Sequence, residues 1–430
     1  MGTYLQKTNS SPSSQRQFTV STWVKVCREG NDRYIWSMRV DDSNWIGFRF
    51  ATNGCVILQI YDSNSTTGQL QSNAFFRDPS SWYHFTVRVN TNESTADDRL
   101  RIYVNGTQLT SFSSRTNLPS GYDIPITSNF QVATSPYSSQ YNSNSLDGYL
   151  TDFNYCDNYS YAPTSFGETD STTGEWKPKV DLTGVSYGNN GFRLQFENAG
   201  SLGADTSGQS NNLTVSGAGT NAQTTDTASN NFVTMNPLDS GTVTFAKGNC
   251  EITCTNGNKD GARGTIGVQN GKWYFEFKLI SHAGGDPPQV LGVAQSDAQL
   301  STWVSSGNYA VYEIDSGKKR INGSQSSYGA TATDNDIIGV ALNMDDNEVT
   351  FFKNGASQGT ITSATSSGEF YFPYITDGSS SRGHTTQLNF GNPPFAIASG
   401  NADAAGHGNF EYAVPSGYFA ICTKNLNTYG

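Results

Sequence analysis

The stretch from Ser81 to Leu109 leaves this chain few architectures. In SSWYHFTVRVN, Tyr83, Phe85, Val87 and Val89 alternate with Trp82, His84, Thr86 and Arg88. In RLRIYVNG, Leu100, Ile102 and Val104 alternate with Arg99, Arg101 and Tyr103. Apolar residues at every second position share one side of an extended backbone. Each segment is therefore expected as a strand with one face in a core and the other toward water. Asn105-Gly106 tolerates the positive φ values of a two-residue reversal, so the chain is expected to turn back there. Antiparallel sheet follows.

The same period recurs along the chain. In FTVSTWVKVC, Phe18, Val20, Val24 and Val26 fall on one face and Trp23 on the other. RYIWSM, NWIGFRFA and CVILQIY follow at short intervals, separated by Asp, Asn and Gly turns. In GKWYFEFKLIS, Trp273, Phe275, Phe277 and Leu279 are expected inside, with Lys272, Tyr274, Glu276 and Lys278 outside. Regular short strands between turn residues predict sandwiches or barrels. No window shows helical periodicity, although SDAQLSTWV is read as one helical turn capped by Ser296. With 430 residues the chain exceeds what one core fills, and the polar run SGAGTNAQTTDTASNN reads as a connector. The expected organisation is all-β, with two antiparallel β-sandwiches over residues 1–216 and 239–430 joined through 217–238. Residues 190–216 are expected to return as a strand pair onto the first sandwich and cover an open edge.

Particular motifs resemble known families. The WYH strand with the IYVNG turn resembles the laminin-G/concanavalin A-like jelly roll, and LDGYLTDFNYC resembles its closing strand. FTVSTWVK, FRD, WYH, SFGE, WKPK, YGNNGF and DTSG form an ordered series over roughly residues 1–240. That series resembles laminin-G-type modules of bacteriophage structural proteins, especially from phages of marine bacteria. WYFEF, GVA, IIGVALNMDDNEVTFFKNG and FPYI resemble the SPRY domain, another concanavalin A-like sandwich. The tail PSGYFAICTKNL is similar to the segment that closes such modules in phage proteins.

Charge and motif content narrow the chemistry. A net charge of −11, with Lys318, Lys319 and Arg320 as the longest basic run, argues against a nucleic-acid surface. No segment has the length of a membrane span, so no membrane insertion is expected. The opening MGTYLQKTNSSPSSQRQ has no apolar stretch, which implies synthesis in a host cytoplasm. The six cysteines are scattered, apart from Cys250 and Cys254, which lack neighbouring His or Cys partners for zinc, and they read as free buried thiols. Glucanases of the concanavalin A-like superfamily need two Glu residues on one strand face, commonly E-x-D-x-E or E-x-D-x-x-E. YEIDSGKK supplies Glu313 and Asp315, but Gly317 and Lys318 stand where the second Glu belongs. His84, His282, His384 and His407 have no triad spacing, so no catalytic residues and no enzyme activity are expected.

Binding candidates remain. Asp41, Asp42 and Asn44 beside Trp45 offer oxygen ligands for structural calcium and an aromatic face for a pyranose ring, against the plainer reading of a turn before a strand. No other cofactor is expected. By resemblance to SPRY relatives, the loops His282–Pro288, Trp303–Asn308 and Thr376–His384 are a partner surface, with His282, Asp286, Trp303 and Asp377 as contacts. The resemblances imply a virion component on a phage tail or capsid surface. Its partners would be host-surface polysaccharide and other virion proteins. A tail fibre or receptor-binding protein is expected first, as a homo-oligomer with a trimer favoured. A capsid decoration or head fibre protein is the alternative, and a glucanase-type enzyme the alternative of another class. The chain shows no coiled-coil or collagen-like shaft, which points to a compact appendage.

Overall fold

The computed structural model describes residues 3–28, 30–126, 129–141, 143–217, 222–254, 260–282, 289–301, 304, 306–378 and 383–430, without the side chain of His282. The chain divides into two compact units, residues 1–223 with 227–229, and residues 224–226 with 230–430. Both are antiparallel β-sandwiches, as the alternation predicts. Among the described residues no helix is long and apolar enough to cross a membrane.

In the first unit an eight-stranded sheet packs on a six-stranded one. The larger sheet runs Phe112–Thr116, Ser65–Phe75, Cys55–Asp62, Asn44–Phe50, Arg33–Asp41, Asn129–Val132, Tyr4–Thr8, Thr214–Ser216. The smaller runs Phe192–Leu194, Gly148–Asp157, Gln17–Val26, Tyr83–Asn90, Leu100–Val104, Thr107–Gln108. Phe192–Leu194 pairs with Phe153–Tyr155, and Thr214–Ser216 pairs with Tyr4–Gln6, so the 190–216 segment touches one edge of each sheet. Phe18, Val20, Phe85 and Val87 from one sheet meet Trp36, Phe48 and Phe130 from the other in a single core. The reversal at Asn105-Gly106 has φ values of 47° and 81°, the left-handed pair this sequence accommodates.

The second unit repeats the plan. Its seven-stranded sheet runs Met235–Ser240, Gly261–Gly264, Phe372–Asp377, Gln289–Ala294, Tyr309–Glu313, Lys318–Ile321, Ser324–Ser327. Facing it, Lys272–His282 lies between His384–Asn389 and Ile337–Asn343. Trp273, Phe275, Phe277 and Leu279 are fully buried, and each contributes about 1.5–3 kcal/mol through the apolar area it removes from water. Phe419–Ala420 adds a short parallel strand beside Trp273 and Tyr274, followed by the helix Thr423–Tyr429.

Three expectations need correction. The faces assigned to water are covered. In the first unit Trp82, His84 and Thr86 are buried, because a later segment carrying Phe166, Trp176 and Tyr187, which includes the two-stranded sheet Gly167–Thr169/Trp176–Pro178, lies over that side of the small sheet. In the second unit Tyr274 and Glu276 are buried beneath Phe410, Glu411 and Tyr412. Alternation separates the two faces of a strand but is silent on whether a later segment covers one. Secondly, Phe232, Val233 and Met235, inside the stretch read as a connector, are buried in the second unit. These apolar residues end the polar run and begin the next core. Thirdly, Ser296 begins a turn rather than a helix, in which Asp297 accepts hydrogen bonds from the Asn308 backbone and side-chain amides at 3.0 and 2.9 Å.

Candidate functional site

The turn at residues 41–45 is built for its own closure. Asp41 Oδ1 accepts from the Ser43 backbone N–H and from Asn44 Nδ2, both at 2.8 Å. Asp42 pairs with Arg39 at 2.6 Å, and Asn44 Oδ1 accepts from Ser63 N–H of the adjoining hairpin at 3.1 Å. Asp41 and Asp42 thus close the turn itself, and Asn44 ties it to the adjoining hairpin. Trp45 is only 4% exposed, stacked on Tyr61 at 5.3 Å and met edge-on by Tyr137 at 5.7 Å. The expectation of an open aromatic platform is therefore corrected: the ring is packing. Among the described residues no three His, Cys, Asp or Glu side chains converge as metal ligands.

The loop candidates of the second unit divide. Asp286 and Trp303 lie outside the described residues, as does the side chain of His282. Asp377 ends one strand and His384 begins another, and their side chains form a buried pair at 3.2 Å. Strand register sets His282 and Cys254 on either side of His384, so Asp377 and these three positions gather at one end of the sandwich. Asp377 is fully buried, which corrects its assignment as a surface contact. Burial pushes the Cys254 thiol up to about 12, with Asp377 and Asp260 adding to the shift, so this sulfur is held as an unreactive thiol.

The residues weighed for catalysis are committed to structure. Glu313 is fully buried and accepts from Arg320 at 2.8 Å, Ser316 at 2.9 Å and Gln325 at 2.7 Å. Asp315 accepts from the Gln289 backbone N–H at 3.0 Å. His84 lies between Trp23, at 4.8 Å, and Trp176, at 5.9 Å. Trp176 Nε1–H donates to His84 Nδ1 at 2.9 Å, and an indole can only donate. The ring proton is thereby assigned to Nε2, which donates to Ser21 Oγ at 2.7 Å. Burial lowers this histidine to about 3, so it stays neutral under ordinary conditions. Gly167 makes the arrangement fit, since a Cβ there would stand 2.5 Å from the Trp176 ring.

A polar cleft that sequence reasoning did not single out lies at the edge of the large sheet in the first unit. Gln6, Lys7 and Thr8 of the first strand, with Asn211, Asn212 and Thr214 of the returning segment, line a polar cleft of about 480 Å³. Gln6 and Thr214 are cross-strand partners. The far wall is fixed by Asp205, which accepts from the backbone N–H groups of Arg193, Ser207 and Asn211 at 2.8–2.9 Å. Asn211 Nδ2 donates in turn to the carbonyls of Asn189 and Gly191. The amides and hydroxyls of this lining can exchange hydrogen bonds with a hydroxylated ligand. None of these lining groups supplies an acid/base pair. Gln6, Thr8 and Thr214 are ordinary polar strand residues, and only the pairing of distant segments brings them together.

Comparison with known proteins agrees with the architecture. Residues 2–165 match the model of the concanavalin A-like lectin/glucanases superfamily, and residues 272–393 match that of the SPRY domain. Among solved structures, the SPRY domain of human HERC1 is 20% identical over 36% of this chain and 96% of its own, with a TM-score of 0.32. A human SPRY domain is 15% identical over 37% of this chain and 99% of its own, with a TM-score of 0.28. A heptameric SAP-like pentraxin from Limulus polyphemus is 18% identical over 37% of this chain and 71% of its own, with a TM-score of 0.29. The chain thus carries an N-terminal concanavalin A-like domain and a C-terminal SPRY domain, both of them β-sandwiches.

Proposed function

We propose that this chain is a non-catalytic adhesion component of a tailed-phage virion, a tail fibre or receptor-binding protein that holds host-surface polysaccharide in the cleft of its first unit. Domains of the two kinds it carries are typically binding modules. The observation that carries the reading is the cleft itself, walled by amide and hydroxyl groups of the first strand and the returning segment. Such a lining suits a chain of sugar hydroxyls, each both donor and acceptor. The virion assignment draws on the ordered motif series from FTVSTWVK to DTSG. Binding without turnover draws on the engagement of Glu313 by Arg320, Ser316 and Gln325.

Gold-conjugated antibody against the protein, applied to intact virions, tests the placement. Grains at the tail support the adhesin. Grains over the head replace it with the capsid decoration or head fibre reading, and unlabelled particles refute the virion reading altogether. Sugar released from laminarin by wild-type protein but not by Glu313→Gln would overturn the non-catalytic part.

A further inference from the structure

Lys7 follows Leu5 on the inward side of the first strand, an unusual place for an ammonium group. Its Nζ lies 3.3 Å from the side-chain oxygen of Asn190, a residue 183 positions away and fully buried. That oxygen also accepts from the Ser10 backbone N–H at 2.8 Å and the Ser10 hydroxyl at 2.9 Å. Asn190 Nδ2 donates back to the Ser10 carbonyl at 3.0 Å, which fixes the orientation of the amide. Alongside is Asp157, also fully buried, whose Oδ2 accepts from the backbone N–H groups of Ser13 and Asn190 at 2.9 and 3.1 Å. Its Oδ1 has no hydrogen-bond partner among the described residues. A half-buried amine therefore meets a buried carboxamide with a polarised carbonyl and a buried carboxylate with a spare lone pair.

We propose that Lys7 and Asn190 join in an intramolecular isopeptide bond formed after folding. In this step the neutral Lys7 amine adds to Asn190 Cγ, and the oxyanion forms where the two Ser10 donors already point. Asp157 takes the proton released from Nζ and returns it to Nδ2 as the Cγ–Nδ2 bond breaks. Ammonia leaves and a secondary amide remains, so no oxidant, metal or co-reactant is required. Burial lowers the Lys7 ammonium against the opposing charges of Asp157 and Asp205, which favours the free amine the step needs. Fixed proximity does the rest, as it does in intramolecular reactions generally. The product would tie the first strand to the returning segment, so that the cleft between them could not open under load.

Intact-mass measurement on the purified full chain reads the bond directly. The expected mass is lighter than the sequence mass by one ammonia, and Lys7→Arg restores the sequence mass. In a tryptic digest the linked protein yields no cleavage after Lys7, and residues 1–16 are recovered covalently attached to residues 180–193. Asp157→Asn tests the proton carrier and is expected to leave the chain unlinked. Should that variant fail to fold, the wild-type digest still decides. A wild-type chain at its full sequence mass, with residues 180–193 recovered as a free peptide, overturns the proposal.

Discussion

His84 turns an aromatic stack into a measurable acid response. An ordinary histidine titrates near 6.5, whereas burial between Trp23 and Trp176 lowers His84 to about 3. Below pH 6.5 the unfolded chain takes up a proton that the folded chain refuses. Folded-state stability is thus intact above the unfolded value and declines as pH falls toward the folded one. The slope is about 1.4 kcal/mol per pH unit within that window, so the loss at pH 5 reaches about 2 kcal/mol. His84 is 1% exposed, so solvent screening removes little of this. Replacing it with a neutral amide, His84→Gln, should abolish this share of the pH dependence. Urea unfolding followed by tryptophan fluorescence at pH 7 and pH 5 provides the assay, with wild type losing about 2 kcal/mol more than the variant between the two conditions. Parallel behaviour of the two proteins would refute the reasoning, as would a His84 ring signal in NMR that titrates above pH 5.

Gly167→Ala should push the Trp176 ring off His84, costing about 1–3 kcal/mol in thermal unfolding and raising the histidine's titration point. Glu276→Leu takes the acceptor from the half-buried backbone N–H groups of Glu411 and Tyr412 and from one N–H of the buried Asn389 amide. Its cost should be about 3 kcal/mol or more, seen as a lowered melting temperature and new proteolysis between residues 393 and 418. Trp45→Ala should lower the stability of the first unit by about 3–5 kcal/mol, measured by denaturant unfolding, while polysaccharide affinity stays unchanged.

What could be read from sequence was whatever is local. Phe85, Val87 and Val89 declare a core face because the backbone itself imposes a period of two, and Asn105-Gly106 declares its turn because few other residues accept those φ values. Cover is not local. His84 looked like a residue facing water until Trp176, 92 positions later, closed over it. Trp45 beside three polar turn residues reads equally as a sugar platform or a plain turn, and only Tyr61 from the next strand and Tyr137 from a distant loop decide it by occupying the ring's surface. The buried pair of Asp377 and His384 depends likewise on two strand ends meeting. The cleft was the least visible feature, because Gln6, Asn211 and Thr214 belong to the commonest polar types and acquire meaning only from the pairing of the first strand with the last of its unit.

That pairing is also where the functional account can be tested most directly. Gln6 and Thr214 face each other at the cleft, and the double substitution Gln6→Ala, Thr214→Ala removes their polar groups while leaving the backbone ladder in place. Wild type and double variant, both as full chains, would be applied to an array of immobilised neutral and acidic bacterial polysaccharides. The account predicts retention of wild-type protein on a subset of these glycans and loss of that signal in the double variant, with unchanged thermal unfolding. Equal retention of the two proteins, or none by wild type across the array, would contradict it.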